Sequence, residues 1–300
     1  MEENRKKGIL YIVVPCYNEE EALLTSAKSL LDKLGALRES GIVSEKSRIV
    51  FVDDGSRDKT WELITQLYHE HGEITGLRFA HNRGHQNAIL AGMLYAKDYC
   101  DYTITIDADL QQDINALSLF IEEYENGSEV VFGVRNSRNT DGFFKRLSAT
   151  VFYKVMRFMG ANIYENSADY RLMSAKALDA LSEYGEVNLF LRGIIPDIGL
   201  KSSVVHFDVF PRMQGESKYS LSKMMTLAAD GVTSFSIKPI RMVFGMGILA
   251  LLVGVGMVIH IVYEHYFGYT IDGWSSILMS IWVLGGAVLL SLGIIGEYVG

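Results

Sequence analysis

The sequence predicts an α/β protein with a mainly parallel sheet, followed by two membrane-spanning helices. In the first half of the 300-residue chain, apolar runs of strand length alternate with stretches that have the length and polarity of helices. Near the C-terminal end, two almost uncharged segments are long enough to cross a bilayer, which takes about 20 residues. Two predicted strands end in pairs of aspartates, which indicates a ligand site at one edge of the sheet.

The predicted strands and helices alternate along the chain from residue 9 to residue 133. The first strand, residues 9–14, is an apolar run closed by Pro15 and is typical of a central parallel strand. Asn18 is expected to cap a helix with three glutamates in its first turn, as the helix dipole favours. The later elements are a strand at 48–52, a helix opening at Asp58 or Thr60, a strand at 76–80, a helix at 84–99, a strand at 102–106, a helix at 114–126 and a strand at 129–133. This order predicts a doubly wound sheet with right-handed crossovers.

Acidic side chains follow two of these strands. Asp107 and Asp109 come directly after the strand at 102–106, and carboxylates so placed suit a hard cation such as Mg²⁺ or Mn²⁺. Because these ions usually complete their coordination with substrate phosphate, the pair suggests a nucleotide diphosphate; the alternative is that two acidic residues merely end a strand. Asp53 and Asp54 follow the second strand and can accept hydrogen bonds from a base or ribose hydroxyls.

Several protein classes are disfavoured. No Gly-X-Gly-X-X-Gly follows the first strand and no Gly-X4-Gly-Lys-Ser/Thr occurs, which argues against a Rossmann dehydrogenase and a P-loop NTPase. The net charge of −8 argues against a nucleic-acid partner. Cys16 and Cys100 are too few for a disulfide framework, and a cytosolic domain is expected to keep them reduced.

The predicted membrane spans are residues 242–263, whose only ionisable side chain is His260, and residues 274–296, which carry no charge. Two spans this close predict a hairpin, and a buried core hairpin is the alternative. The residues before the first span are basic, whereas the connection at 264–273 has no Lys or Arg. The positive-inside rule therefore places the N-terminal part in the cytoplasm and the connection outside, in an integral protein of the cytoplasmic membrane.

Seven motifs carry a resemblance to a known family. They are VVPCYNEE at 13–20, VDDGSRDKT at 52–60, HNRGHQNAILAG at 81–92, DADLQQD at 107–113, GVRNSR at 133–138, ADYRLMS at 168–174 and RGIIPDIG at 192–199. With PRMQGESKYSLSKM at 211–224 and the two spans, the chain resembles the GT-A glycosyltransferases of family 2, and within them the polyisoprenyl-phosphate glycosyltransferases. The resemblance implies a Rossmann-like GT-A catalytic domain at 1–215, an amphipathic interfacial helix at 216–240 and two transmembrane helices within 241–300.

The resemblance also implies roles for residues on the donor side. Pro15, Tyr17 and Glu19 would line the base pocket, Asp53 and Asp54 would contact uracil and ribose, Arg83 would contact the nucleotide, Asp107 and Asp109 would hold the Mg²⁺ or Mn²⁺, and Gln111 would face the donor sugar. The prolines that usually follow this motif in the family are replaced by residues 112–115, which puts the shape of that loop in doubt. Asp113 is expected to cap the next helix rather than to join the metal's surroundings.

On the acceptor side, Arg135, Arg138 and Lys218 are expected to hold a phosphate, because arginines form bidentate, charge-assisted hydrogen bonds with it. Asp169 and Arg171 lie in the segment that faces the acceptor in similar enzymes, where the aspartate is assigned as base. A phosphate monoester has a second pKa of about 6 and is largely a dianion at neutral pH, so a base is hardly needed. Asp169 then either orients Arg171 or accepts the last proton of a monoanion.

The predicted reaction is inverting transfer of a sugar from a nucleotide-sugar, UDP-glucose or UDP-N-acetylglucosamine, to polyprenyl (undecaprenyl) phosphate for cell-envelope glycosylation. The alternatives are transfer of mannose from GDP-mannose, a polysaccharide-building family 2 enzyme, and a membrane-anchored scaffold without activity. No Gln-X-X-Arg-Trp signature of processive synthases occurs. The small-X3-small spacing at 250–254 also permits a homo-oligomer formed through the membrane helices.

Overall fold

The computed structural model describes residues 7–136, 167–185, 191–210, 238–267 and 274–299. The chain divides into two compact units, an α/β unit and a unit that contains the two long C-terminal helices. The α/β unit contains strands β1 (Leu10–Cys16), β2 (Arg48–Asp53), β3 (Ile74–Arg78), β4 (Tyr102–Thr105), β5 (Val130–Arg135), β6 (Ser167–Ser174) and β7 (Ser202–Phe207). Its helices are α1 (Leu23–Glu39), α2 (Thr60–Glu70), α3 (His85–Ala96), α4 (Leu117–Glu125), α5 (Ala175–Ser182) and α6 (Leu191–Asp197), with a 3₁₀ turn at Ile114–Ala116.

The seven strands form one sheet in the order β3-β2-β1-β4-β6-β5-β7. All neighbouring pairs are parallel except those of β6, which runs antiparallel to both β4 and β5. The chain moves outward from β1 to β3 and then returns to the other side of β1 with β4. This reversal creates a crevice at the carboxyl ends of β1 and β4, the usual ligand position in open α/β sheets. The predicted mainly parallel α/β fold is confirmed.

Both faces of the sheet are covered. Every residue of β1 is buried, and alternate residues beginning with Leu10 belong to the core cluster that includes the apolar side of α1. On the opposite face, α3 packs so close to β1 that a methyl group at Gly92 would lie only 2.3 Å from Val13 Cγ1. The close approach of α3 places its N-terminal end, at His85, beside the carboxyl edge of the sheet.

Some predicted boundaries are wrong. The first helix begins at Leu23 and not directly after Asn18, and Ala22 occupies the cap position without a side-chain hydrogen bond. Asn18 adopts a φ of 53°, and its Oδ1 accepts a hydrogen bond of 2.9 Å from the Arg57 N–H. The asparagine therefore ties two loops together instead of capping the helix. Strand β3 begins two residues before the predicted residue 76.

The cap at Asp113 is confirmed, because its carboxylate accepts a hydrogen bond of 2.9 Å from the Asn115 N–H at the 3₁₀ turn. Four elements have no counterpart among the predictions, namely β6, α5, α6 and β7. Strand β6 is buried along its whole length although it contains Asp169 and Arg171. Its charges conceal the apolar pattern by which buried strands are recognised.

The second unit contains α7 (Lys238–Phe267) and α8 (Trp274–Val299). Within them, Arg241–Glu264 and Met279–Gly296 have mean hydropathies of 2.5 and 2.0 and are long and apolar enough to cross a membrane. The interfacial helix predicted at 216–240 lies outside the described residues except for its last three, which belong to α7.

Glycines bring α7 and α8 into close antiparallel contact. A methyl group at Gly293 would lie 2.7 Å from Phe244 Cβ, and one at Gly286 would lie 2.8 Å from Leu251 Cδ2. Gly254, part of the small-X3-small spacing, faces Trp282 of the same hairpin at 3.3 Å. That glycine therefore serves contact within the chain, and the homo-oligomer stays a prediction.

Candidate active site

Ionisable side chains from three strands and two helices converge at the carboxyl edge of the sheet. Because β6 is antiparallel, its N-terminal end lies at this edge together with the carboxyl ends of β1, β2 and β4. Thr105 pairs with Arg171 in the β4–β6 register, so Asp107 and Asp169 follow at corresponding positions. The sheet thus brings together carboxylates that are 62 residues apart in the sequence.

A glutamine holds Asp107 in place. Gln112, only 3% exposed, donates a hydrogen bond from Nε2 to Asp107 Oδ2, and its Oε1 accepts one of 3.1 Å from the Asp107 N–H. Burial raises the pKa of Asp107, a rise that His85 and Gln112 oppose and that Asp169 and Asp109 increase. The Asp107 carboxylate, whose side chain is 31% exposed, is therefore stabilised by a nearby cation, and a divalent ion is one cation that can do this.

The loop after Asp107 has a constrained backbone. Leu110 adopts a φ of 45°, a left-handed conformation that is costly for a non-glycine residue. Asp109 Oδ1 accepts a hydrogen bond of 3.3 Å from the Gln111 N–H, and the Ala108 carbonyl accepts one of 2.5 Å from Ser26 Oγ. These bonds fix the loop in a shape that presents Asp109 beside Asp107.

Asp53 and Asp54 brace neighbouring loops. Asp53 is fully buried, accepts a hydrogen bond of 3.0 Å from the Ser56 N–H and lies 3.3 Å from Arg78 Nε. Asp54, 2% exposed, accepts hydrogen bonds from the Arg83 and Gly84 N–H groups at 2.6 and 2.9 Å. Burial raises the pKa of Asp54, although these two bonds oppose the rise. Their predicted contact with a nucleotide stays a prediction.

His85, which was not predicted as a site residue, lies between the carboxylates of Asp107 and Asp169. Its Nε2 is 3.5 Å from Asp107 Oδ1 and 3.7 Å from Asp169 Oδ2. It is the first residue of α3, and Gly84 before it has a φ of 95° that turns the chain into the helix. The motif at 81–92 contains His85, but no pattern in the sequence indicates that α3 places this ring between two strands.

Asp169 is enclosed by cations. It accepts hydrogen bonds from Arg192 Nη2 at 3.0 Å and Arg192 Nε at 3.2 Å, and a further one from Arg171 Nη2. Burial alone would raise the pKa of Asp169, but Arg192, Arg171 and His85 together hold it well below its usual range. Arg192, at the start of α6, is a second site residue that the sequence reasoning missed.

The other predicted residues occupy varied positions. Pro15 is buried in β1, Tyr17 and Glu19 are partly buried just beyond it, and Arg83 is exposed. Arg135 ends β5, and its Nε is buried without a hydrogen-bond partner within the part of the chain that the structure describes. Arg138 and Lys218 lie outside the described residues.

The carboxylates of Asp107 and Asp109 fit a hard cation, because carboxylate oxygens are the ligands that Mg²⁺ and Mn²⁺ prefer. Within the described residues, no group of three His, Cys, Asp or Glu side chains is arranged to hold a metal. A pair of carboxylates suffices where substrate phosphate and water supply the remaining ligands. The metal site stays a prediction.

Comparison with known proteins identifies the family. The model of the family described as glycosyl transferase family 2 matches residues 11–182, more than half of the chain. The chain belongs to glycosyltransferase family 2. This family 2 glycosyltransferase has the GT-A class of fold that the motifs implied, and the matched residues include the whole carboxyl edge up to β6 and α5.

Three glycosyltransferases from other organisms are similar to nearly the whole chain. The uncharacterized glycosyltransferase YkoT of Bacillus subtilis is 46% identical over 99% of this chain and 88% of its own length. The bactoprenol glucosyl transferase of Shigella phage SfV is 35% identical over 96% of this chain and 92% of its own. The prophage bactoprenol glucosyl transferase homolog of Escherichia coli is 34% identical with the same coverage. Each alignment reaches the C-terminal apolar helices as well as the α/β unit.

Proposed function

We propose that this enzyme transfers a hexose from a UDP-sugar, UDP-glucose or UDP-N-acetylglucosamine, to polyprenyl phosphate, with inversion at the anomeric carbon. The product is a lipid-linked sugar for cell-envelope glycosylation. The observation that carries the proposal is the similarity to bactoprenol glucosyl transferases over 96% of the chain, since it includes the apolar helices. An acceptor with a polyprenyl tail resides in the bilayer, and two spanning helices keep the enzyme at that bilayer, with the α/β unit in the cytoplasm.

The proposed step is an in-line displacement. An oxygen of the lipid phosphate forms a bond to the anomeric carbon as the bond from that carbon to the diphosphate oxygen breaks. The electron pair of the broken bond leaves with the nucleoside diphosphate, which gains one negative charge, and the acceptor phosphate loses one. Because the acceptor is largely a dianion at neutral pH, no proton has to be removed for this balance.

The side chains at the carboxyl edge supply binding and orientation. Asp107 and Asp109 would hold the divalent ion, which when bound neutralises the charge of the departing diphosphate. Gln112 fixes the orientation of Asp107 before the donor arrives. Asp53 and Asp54 are expected to contact uracil and ribose, Pro15, Tyr17, Glu19 and Arg83 to form the nucleotide pocket, and Gln111 to face the sugar.

The acceptor phosphate is expected to meet Arg135, Arg138 and Lys218. Of these, Arg135 supports the assignment most directly, because a buried guanidinium Nε without a partner among the described residues is a hydrogen-bond donor available to an anion. The oxygen of a phosphate monoester would satisfy it with a charge-assisted bond.

The test incubates membranes containing the full-length protein with Mg²⁺, radiolabelled nucleotide sugars and polyprenyl phosphate. Label from a UDP-hexose is expected to enter an organic-extractable product that mild acid cleaves, and a chelator is expected to abolish the transfer. Asp109→Asn is expected to lower the rate at least about 100-fold, because it removes one of two carboxylates from the proposed ion. Full transfer by this variant in the presence of chelator would refute the proposal.

The same assay separates the alternatives. Label from GDP-mannose alone would indicate a mannosyltransferase, and label in a water-soluble polymer would indicate a polysaccharide-building enzyme. No transfer with any donor, from protein that still binds membranes, would indicate a scaffold.

A further inference from the structure

The arrangement of donors around Asp169 restricts what this carboxylate can do. Arg192 approaches it with two nitrogen atoms, and Arg171 supplies a third donor. The side chain of Asp169 is only 8% exposed, so water does not compete for these bonds. Accepting a proton would remove the charge that holds both guanidinium groups, which a buried ion pair does not tolerate without large cost. This geometry is suited to holding the side chains of Arg171 and Arg192 in position.

The two arginines differ in their access to solvent. The side chain of Arg171 is 1% exposed and its Nη1 donates to the Leu191 carbonyl at 3.4 Å, so this guanidinium is enclosed. The side chain of Arg192 is 27% exposed. Of the two guanidinium groups that contact Asp169, that of Arg192 is therefore the one open to solvent.

The position of Arg192 relates it to the donor side of the site. Arg192 contacts Asp169, Asp169 lies 3.7 Å from His85 Nε2, and the same nitrogen lies 3.5 Å from Asp107 Oδ1. The guanidinium is therefore separated from the predicted metal carboxylate by two side chains. An anion held by Arg192 would lie near the bound donor.

We propose that Arg192 binds the phosphate of the acceptor and that Asp169 is the positioning residue that orients Arg192, rather than a base. This inference rests on the proposed function, since it assigns residues to the same transfer. Arginine suits the role because its planar group can hold a carboxylate on one edge and a phosphate oxygen on another. Arg171, being enclosed, fixes Asp169 from the interior.

The test measures steady-state transfer by Arg192→Gln, Arg192→Lys, Asp169→Asn and the double variant Arg192→Gln with Asp169→Asn. Arg192→Gln is expected to raise the KM for undecaprenyl phosphate about 10- to 100-fold, the usual effect of losing a hydrogen bond between charged groups, with the donor KM changed less than about threefold. Arg192→Lys is expected to recover part of that loss, because it restores the charge without the bidentate geometry.

The double variant shows whether Asp169 orients Arg192 or acts as a base. If Asp169 acts through Arg192, adding Asp169→Asn to Arg192→Gln changes kcat/KM less than about threefold, because the group it orients is already gone. If Asp169 is a base, Asp169→Asn lowers kcat by the same large factor with or without Arg192, and the inference fails.

Two further outcomes are decisive. A diphosphate and a phosphate monoester share the chemistry that Arg192 binds, so a rise in the donor KM with the acceptor KM unchanged would place Arg192 on the donor and overturn the inference.

Thermal stabilisation by UDP with Mn²⁺ shows whether each variant retains a folded donor site, and the KM values of Arg192→Lys decide between the two roles if Asp169→Asn unfolds. Lys97→Gln, which breaks a surface pair of 3.1 Å with Asp179, is the matched control and is expected to leave both KM values unchanged. Absence of transfer by the wild-type protein would instead refute the proposed function.

Discussion

Replacing Gln112 by leucine tests whether Asp107 is held in position by its neighbour before any ligand binds. The amide of Gln112 makes two hydrogen bonds to Asp107, one to the carboxylate and one from the backbone N–H. Leucine has nearly the same volume and makes neither bond. The side chain is 3% exposed, so water does not replace the lost partner without rearrangement.

The magnitude follows from the two groups left without a partner. An unsatisfied buried polar group costs about 1–3 kcal/mol, and the Asp107 carboxylate lies at the lower end because its side chain is 31% exposed, so the two groups together cost about 2–4 kcal/mol. For a domain of this size each kcal/mol lowers the unfolding midpoint by about 2–4 °C, which predicts a drop of about 4–16 °C. Losing a hydrogen-bond partner of a metal ligand typically weakens metal binding about 10- to 100-fold. The Mn²⁺ concentration for half-maximal transfer is therefore expected to rise by that factor.

The assay follows thermal unfolding of the full-length protein in detergent and transfer as a function of Mn²⁺ concentration. Gln66→Leu is the matched control, because Gln66 is exposed on α2 and makes a single bond of 2.8 Å to Glu70 in the next turn. Its effect on stability is expected to stay within about 0.5 kcal/mol. Equal midpoints and equal Mn²⁺ requirements for the two variants would show that Gln112 does not hold Asp107.

Three further predictions concern other parts of the chain. Burial raises the pKa of Cys100 to about 12, so iodoacetamide at pH 8 is expected to label this thiol only when denaturant unfolds the protein; labelling of the native protein would contradict its burial. Burial alone would raise the pKa of Asp58, but hydrogen bonds from α2 and from the first loop lower this pKa below 3.8. The stability that Asp58 contributes is therefore present above about pH 4 and is lost as the pH falls further. Asp58→Asn is expected to flatten the curve of stability against pH below about pH 4, and an unchanged curve would exclude this contribution. Gly293→Leu is expected to lower the unfolding midpoint in detergent by several degrees because it collides with Phe244, whereas Gly256→Leu, which has open space around it, is expected to have little effect; equal midpoints would argue against the close contact.

The parallel half of the sheet was predictable because its strands are short apolar runs between turn and helix signals. Val13 and its neighbours in β1 are buried on both faces, so the run shows no polar alternation to confuse it. The start of α1 was not predictable in the same way, because Asn18 and the glutamates after it form a good cap signature that a tertiary contact to Arg57 overrides. Local preference gives way where a loop is fixed by a distant neighbour.

The site was predictable where consecutive residues carry it and not where the fold assembles it. Asp107 and Asp109 are recognisable because both follow one strand within three residues. His85 and Arg192 lie 22 residues before and 85 residues after Asp107, and only the β4–β6 register and the close packing of α3 bring them to the same edge. No periodicity in the sequence encodes that meeting, since it depends on long-range strand pairing.

The reversed direction of β6 has a consequence for how such a chain can change over time. Pairing with β4, and not the length of the stretch between β5 and β6, determines where Asp169 lies, so residues can be inserted into or removed from that stretch without displacing the carboxylate. A slip of even one residue in the pairing would instead turn the side chain to the opposite face of the sheet. A change in the number of residues between β5 and β6 is therefore expected to leave the position of Asp169 in the sheet unchanged.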